Sequence, residues 1–269
     1  MRFTIRHETG YHYTAPVHYS IQQLRLTPRL DPNQRVLSWH VGAPGRLQRF
    51  VDAYGNITQT MVLTAPHQEI RIVVTGTLEI EPLVDGRIPI SADAPGADLS
   101  PLVFSVATAL TSADPTVLAF AARHLPRTDR AEDFLALAAA IYDAVQYETG
   151  ATEVTSTAAQ ALEIGRGVCQ DHAHLFIACC RARGVPARYV SGYLYPGDTP
   201  HAASHAWADV WIEGSGWVSI DSTHRAYANE RYCRLAIGRD YLSAAPVRGV
   251  RTGGGEESLQ VHVTVRTDQ

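Results

Sequence analysis

Of the four cysteines in the chain, Cys169 is the one that follows a glycine-spaced loop, Gly165-Arg166-Gly167-Val168, and opens a long apolar run stopped by Gly184. That pattern predicts a helix with Cys169 at or just inside its first turn. The backbone N–H groups at a helix start are unpaired and carry partial positive charge, which favours a thiolate over a thiol. A thiolate so placed is a nucleophile suited to acyl transfer. The bland alternative is a small buried hydrophobe, the role expected of Cys179 and Cys180 farther along the same helix. Acyl transfer also needs a base that takes the thiol proton and later returns it to a leaving amine, and histidine serves both ends near neutral pH. His205 opens the alternating segment His205 to Ile212, which reads as a strand that could hold the imidazole rigidly. A short turn, Glu213 to Gly216, leads into a second strand that ends in Asp221. Counted inward from the turn, the two strands bring Asp221 to His205 only with some stagger or a bulge. Asp221 would then accept from one ring nitrogen and fix the tautomer, the third-member role in a triad. Its alternative is an Asp turn at a strand end, which Ser222 and Thr223 would also suit.

The surrounding elements must hold these groups. Up to about Pro82 the chain shows short strand-like segments: Phe3 to His7, Tyr19 to Leu26, Val36 to Val41, Gln48 to Asp52, Ile57 to Leu63 and Glu69 to Ile80. This predicts an antiparallel β domain, residues 1–90. Its clearest hairpin turn is Asp52-Ala53-Tyr54-Gly55-Asn56, where Gly and Asn are expected to take positive φ. Residues 91–112, rich in Pro, Ala, Asp and Gly, read as a linker with room for a short helix. Helices are expected near Pro115 to His124, Asp129 to Val145 and Ser156 to Leu162, then the Cys169 helix. Strands follow at Ala187 to Tyr195, His205 to Ile212, Trp217 to Ile220 and Leu259 to Val265, so that 113–269 forms one catalytic core. Helices first and antiparallel strands second make the fold class α+β.

Bulk properties narrow the function. A formal charge of -4 leaves no basic face for nucleic acid or anionic lipid. His7 and Glu8 interrupt the N-terminus where a secretory signal needs an apolar run, and no stretch approaches a membrane span. The expectation is a cytoplasmic protein with no membrane or nucleic-acid partner. Cys179 and Cys180 are adjacent in a helix, where bridging them would be strained, so reduced thiols are expected.

The three chemistry-bearing segments resemble the core of the transglutaminase-like superfamily, in the bacterial branch provisionally labelled cysteine proteases. The resemblance lies in Gly167-Val168-Cys169-Gln170-Asp171, in Gly184-Val185-Pro186-Ala187-Arg188-Tyr189-Val190-Ser191-Gly192-Tyr193, in His205-Ala206-Trp207, and in Gly216-Trp217 with Asp221. Leu24-Arg25-Leu26-Thr27-Pro28-Arg29 and Asp52 to Asn56 resemble that branch's N-terminal region, so the likeness covers nearly the whole chain. It implies a papain-like transglutaminase core, helices packed on an antiparallel sheet, and an acyl-thioester formed from an amide. Cys169 is then nucleophile, His205 base and acid, and Asp221 orienter. Ser222 stands where the family usually has proline, and His172 where an aromatic is common. Neither departure removes a catalytic group.

Secondary roles follow. The N–H of Cys169 or Gln170 is a candidate oxyanion donor, and Gln170, Tyr193 and Trp207 are candidate substrate-binding residues, the two aromatics as lining for an acyl groove. The expected partner is a peptide or protein amide. Water as acceptor makes a cysteine peptidase or amidase, an amine makes a transglutaminase, and hydrolysis is preferred because defeating water takes a dedicated amine channel. No cofactor is expected, and the absence of a dense Asp/Glu loop predicts no calcium site. Two other classes compete. His172, His174, His201, His205 and His224 with Cys169 could hold zinc, although a helical His-x-His pair points its rings roughly 200° apart. A noncatalytic binding module that kept the fold is the other, since fold alone never establishes function.

Overall fold

A computed structural model describes residues 1–197 and 204–267. The first strand, β1 (Arg2–Leu24), is a single run of 23 residues rather than the two segments expected. Buried and exposed residues alternate along its first half, which places Phe3, Ile5, His7 and Thr9 on one face. Pairing becomes irregular between His12 and Val17, around Pro16, which has no N–H to give to a ladder. The strand's two halves therefore have different neighbours. β2 (Gln34–Gly42), β3 (Leu47–Val51), β4 (Ile57–Leu63) and β5 (His67–Ile80) complete the order β2-β5-β1-β4-β3.

Helices α1 (Pro115–His124), α2 (Ala131–Ala144) and α3 (Ala158–Ile164) match their expected positions within a few residues. Two short strands, β6 (Gln146–Tyr147) and β7 (Arg166–Gly167), pair in parallel immediately before α4 (Cys169–Ala182). α4 is buried from Gln170 to Cys180. A helix apolar on most sides needs neighbours on most sides. It has them in α1, α2, α3 and the sheet strands β8 (Ala187–Leu194) and β9 (Ser204–Ile212). With β10 (Gly216–Asp221), β11 (Ala226–Tyr227) and β12 (Tyr232–Gly238) these strands form a sheet in the order β11-β10-β9-β8-β12. A short helix, α5 (Tyr241–Ala244), follows.

The chain then departs from expectation. β13 (Val247–Gly253) and β14 (Glu257–Thr267) do not continue the β8–β12 sheet. β14 pairs with the first half of β1 from Phe3↔Thr267 to Tyr13↔Glu257, and β13 pairs with its second half. The strand expected over Leu259 to Val265 thus exists, but in the N-terminal sheet. Alternating Leu259, Val261, Val263 and Val265 mark a strand, while strand pairing is non-local and leaves no mark in the sequence. The 91–112 segment is also more than a connector. It holds 3₁₀ turns at Pro101–Ser105 and Ala109–Thr111, and its Phe104 is fully buried. Arg181 of α4 donates to the Phe104 carbonyl at 2.8 Å and the Thr111 hydroxyl at 2.6 Å.

The seam between the sheets is mixed. Tyr193, Cys233 and Leu235 from the β8–β12 sheet join the apolar cluster of Phe3, Ile5, Ile72 and Leu78. Beside it lies a polar joint. The Asp52–Asn56 turn forms as expected between β3 and β4, with positive φ at Gly55, although Asn56 does not take one. Asn56 is fully buried, and its amide group donates to the Ile237 carbonyl at 2.8 Å and accepts from the Ile237 N–H at 2.8 Å. It acts as a one-residue strand against β12, whose edge would otherwise carry unpaired groups. Arg234 joins Asp31 of the N-terminal half to Asp209 of β9, donating at 2.8 and 2.9 Å. Among the described residues no helix is long and apolar enough to cross a membrane.

Candidate active site

Cys169 is the first residue of α4 and is half-buried, whereas Cys179, Cys180 and Cys233 are buried free thiols. Burial pushes the Cys179 thiol up to about 12 and holds those of Cys180 and Cys233 well above the ordinary value. The Asp171 carboxylate fixes the start of α4. It accepts from the Val168 N–H at 2.8 Å and from the Thr152 hydroxyl at 2.6 Å. Gly167 is required beside it, because a Cβ there would stand 2.6 Å from the Asp171 carboxylate oxygen. The first backbone bonds of the helix are donated by Asp171 and His172 to Val168. Among the described residues the N–H groups of Cys169 and Gln170 have no such partner, as a helix start requires, which suits them to meet an anionic oxygen.

His205 and Asp221 come together without a bulge. The β9–β10 register runs from Gly216↔Ile212 to Ile220↔Ala208, so Asp221 follows on opposite Trp207 and reaches His205 diagonally. The imidazole Nε2–H donates to Asp221 Oδ2 at 2.7 Å. That leaves Nδ1 for Cys169, which also hydrogen-bonds the ring. Burial by itself would lower the His205 pKa, but the Asp221 carboxylate and Cys169 outweigh it and raise it to about 10. Burial likewise opposes ionisation of Asp221, yet His205 and then His224 hold its carboxyl far below the usual range. The favoured state is a His205 imidazolium held against the Asp221 carboxylate.

Two partners of Asp221 were not foreseen. Oδ2 also accepts from His224 Nδ1 at 2.7 Å and from the Tyr232 hydroxyl at 2.9 Å. Oδ1 accepts from the Thr223 N–H at 2.8 Å, the Asp turn that Ser222 and Thr223 suggested. The turn and the triad contact are therefore one arrangement. His224 carried a local signal, three residues after the aspartate. Tyr232 carried none, since it reaches Asp221 from β12 across the fold. Tyr147 was missed too. It stands half-exposed on β6 opposite Gly167, and burial followed by the nearby Cys169 and Asp221 charges raises its pKa.

The expected substrate-binding residues fare differently. Tyr193 is 1% exposed and its hydroxyl hydrogen-bonds His7 Nδ1 at 2.7 Å, so it fastens the seam and presents no surface to a groove. Trp207 is also 1% exposed. Its ring stacks at 6.1 Å and 23° on His205, and its N–H donates to Ser219 at 2.9 Å. Trp207 is thus the floor beneath the imidazole. Gly192 makes room for it, as a Cβ there would meet the indole at 2.6 Å. The Gln170 side-chain amide donates to the Val154 carbonyl at 3.1 Å, while its backbone N–H lies in the first turn of α4.

Among the described residues the larger histidine set does not assemble. His172 bridges the Thr223 hydroxyl at 3.0 Å and the Val145 carbonyl at 2.8 Å, and burial lowers its pKa. His174 accepts from the Tyr241 N–H at 3.0 Å on another side of α4. His201 lies outside the described residues.

This geometry agrees with comparison to known proteins. Residues 119–222 match the family model of the transglutaminase-like superfamily, and residues 3–79 match that of the bacterial transglutaminase-like N-terminal region. The chain belongs to the transglutaminase-like superfamily. An uncharacterized protein of Mycobacterium leprae is 33% identical over 281 aligned positions, covering 98% of each chain. A protein-glutamine gamma-glutamyltransferase of Pseudomonas aeruginosa is 34% identical over 101 positions, 33% of this chain and 15% of that protein. The crystal structure of a Cytophaga hutchinsonii protein, provisionally named a cysteine protease, superposes with a TM-score of 0.79 at 23% identity, covering 100% of this chain and 92% of that one. The last likeness speaks for the fold. The α+β transglutaminase-like architecture read from the sequence is the one observed.

Proposed function

We propose that this member of the transglutaminase-like superfamily is a thiol-dependent acyl-transfer enzyme that cleaves an amide or peptide, with Cys169, His205 and Asp221 as its catalytic residues. The observation that carries the reading is the 2.7 Å bond from His205 Nε2 to Asp221 Oδ2, with the other side of the ring facing a cysteine at a helix start. Cys169 Sγ attacks the amide carbon and the C–O π pair moves onto oxygen, where the free N–H groups of Cys169 and Gln170 receive it. His205 gives its Nδ1 proton to the leaving amine as the C–N bond breaks. Water then attacks the thioester, losing a proton to Nδ1, and the acid leaves with the thiolate restored. Asp221 keeps the imidazole oriented throughout. Tyr147, on the strand paired with Gly167, offers its hydroxyl as a third donor to the oxyanion.

Hydrolysis is favoured over amine transfer because Cys169 is only half-buried, and Tyr147 and the His224 side chain next to His205 are about half-exposed, which gives water access. Iodoacetamide labelling against pH, mapped by mass spectrometry in wild type and His205→Ala, tests the thiol centre. Cys169 should label far faster near neutral pH than the other three cysteines and lose that advantage in the variant. Equal sluggishness of all four would favour the noncatalytic module. For the acceptor, a peptide library is assayed with and without added primary amine. Release of free acid that is unchanged by the amine supports hydrolysis, and amine incorporation in its place supports transfer.

A further inference from the structure

Asp221 serves more than His205. His205 Nε2, Asp221 Oδ2 and His224 Nδ1 all lie within 4.8 Å of one another, with both imidazole nitrogens 2.7 Å from the same carboxylate oxygen. We propose that these three atoms form a site for a divalent transition-metal ion, zinc by ligand preference, and that its occupancy switches the thiol centre off.

Two imidazoles and a carboxylate are a ligand set that suits zinc, and three protein ligands leave a fourth position for water. Ligands about 2.0 to 2.2 Å from a tetrahedral ion stand roughly 3.3 to 3.5 Å apart. The present 2.7 Å contacts need only a modest opening. The His224 side chain is 49% exposed, so it can make that adjustment and gives the ion a way in. The outer support is already built. Tyr232 donates to Oδ2, and the N–H groups of Thr223 and His224 donate to Oδ1 at 2.8 and 3.3 Å, which fixes the carboxylate as metal sites require. Trp207 stacked on His205 fixes that ring.

Proton bookkeeping is simple. The His205 Nε2 proton leaves to solvent, the His224 ring proton moves to Nε2, and His205 keeps its Nδ1 proton toward Cys169. A metal-bound neutral imidazole is a far weaker acid than an imidazolium. It cannot protonate a leaving amine, nor can its occupied Nδ1 take a proton from water. This consequence rests on the acyl-transfer reading, whereas binding of the ion does not.

The test is titration of the full chain with cobalt(II), whose visible d–d absorption reports nitrogen and oxygen ligation, with zinc stoichiometry measured after dialysis. One ion per chain is expected, without the thiolate-to-cobalt charge-transfer band. Binding should persist in Cys169→Ala and weaken by about tenfold or more in His224→Ala, a loss at least equal to that of an outer-shell partner. Thermal unfolding of His224→Ala checks that it is folded. No binding, undiminished binding in folded His224→Ala, or binding lost in Cys169→Ala overturns the site. Iodoacetamide reactivity without metal reads the enzyme proposal separately. An inert Cys169 with intact cobalt binding sinks the enzyme and keeps the site, and a reactive Cys169 with no cobalt binding does the reverse.

Discussion

Two aspartates one strand apart, Asp209 and Asp221, are both fully buried and both held below the usual carboxyl range, yet they do different work. Asp209 is paired with Arg188 at 2.8 Å and with Arg234, which also binds Asp31. Guanidinium does not give up its proton at any working pH, so that cluster has one protonation state and serves as a fixed joint between the sheets. Asp221 is paired with two imidazoles and a phenol, and one of these partners, His205, binds its proton reversibly, with a pKa raised to about 10. A strongly perturbed carboxylate is therefore no sign of catalysis by itself. What separates joint from site is whether its partners can titrate and whether a nucleophile is within reach.

The largest effect that would sharpen this contrast is Cys169→Ala. It should reduce turnover by about 10⁴-fold or more while leaving the unfolding midpoint near wild type. Asp221→Asn should follow, with kcat lower by about 10² to 10⁴-fold, since the amide can leave the imidazole in the wrong tautomer. Asp209→Asn is its counterpart in the joint. Denaturant unfolding should show a loss of about 3 to 5 kcal/mol, because buried Arg188 loses its counter-charge and Arg234 keeps only Asp31, with kcat per folded molecule changed far less. If Asp209→Asn instead stops turnover in a stable protein, the comparison fails.

Smaller effects come from the supports. Tyr232→Phe removes one donor from Oδ2 and should lower kcat about tenfold, in keeping with the roughly 1.5 kcal/mol of a hydrogen bond to a charged group. The pH dependence of stability should separate the two clusters last. His205 binds its proton more tightly folded, at about 10 against an ordinary 6.5. Its contribution is complete below about 6.5 and fades as pH rises through 10. Asp221 is depressed instead, so its contribution is present above 3.8 and is lost as pH falls toward its folded value. Wild type should accordingly lose stability between pH 7 and 10 relative to His205→Ala, measured by urea midpoint, with no such difference for a variant of the joint.

Much of the site was legible because its signals are local. A glycine loop before Cys169, a histidine that begins a strand and an aspartate that ends the next can each be read within a few residues. Tyr193 and Trp207 misled because a strand pattern tells that a side chain alternates, not which face looks on a groove. Both face inward, one to His7 across the seam and the other beneath His205. Tyr232 and Asn56 were opaque for a related reason. Their partners, Asp221 and Ile237, are 11 and 181 residues away and sit on other strands.

By itself the sequence determined helices α1 to α4, many of the strands and the α+β order, and it singled out Cys169, His205 and Asp221, since period, capping and turn chemistry act over short stretches. Tertiary structure alone decided that the C-terminal strands return to β1, that Asn56 seals the edge of β12 and that one carboxylate oxygen gathers two histidines and a tyrosine. These are contacts between distant segments, selected by what they bury and satisfy once the chain is compact.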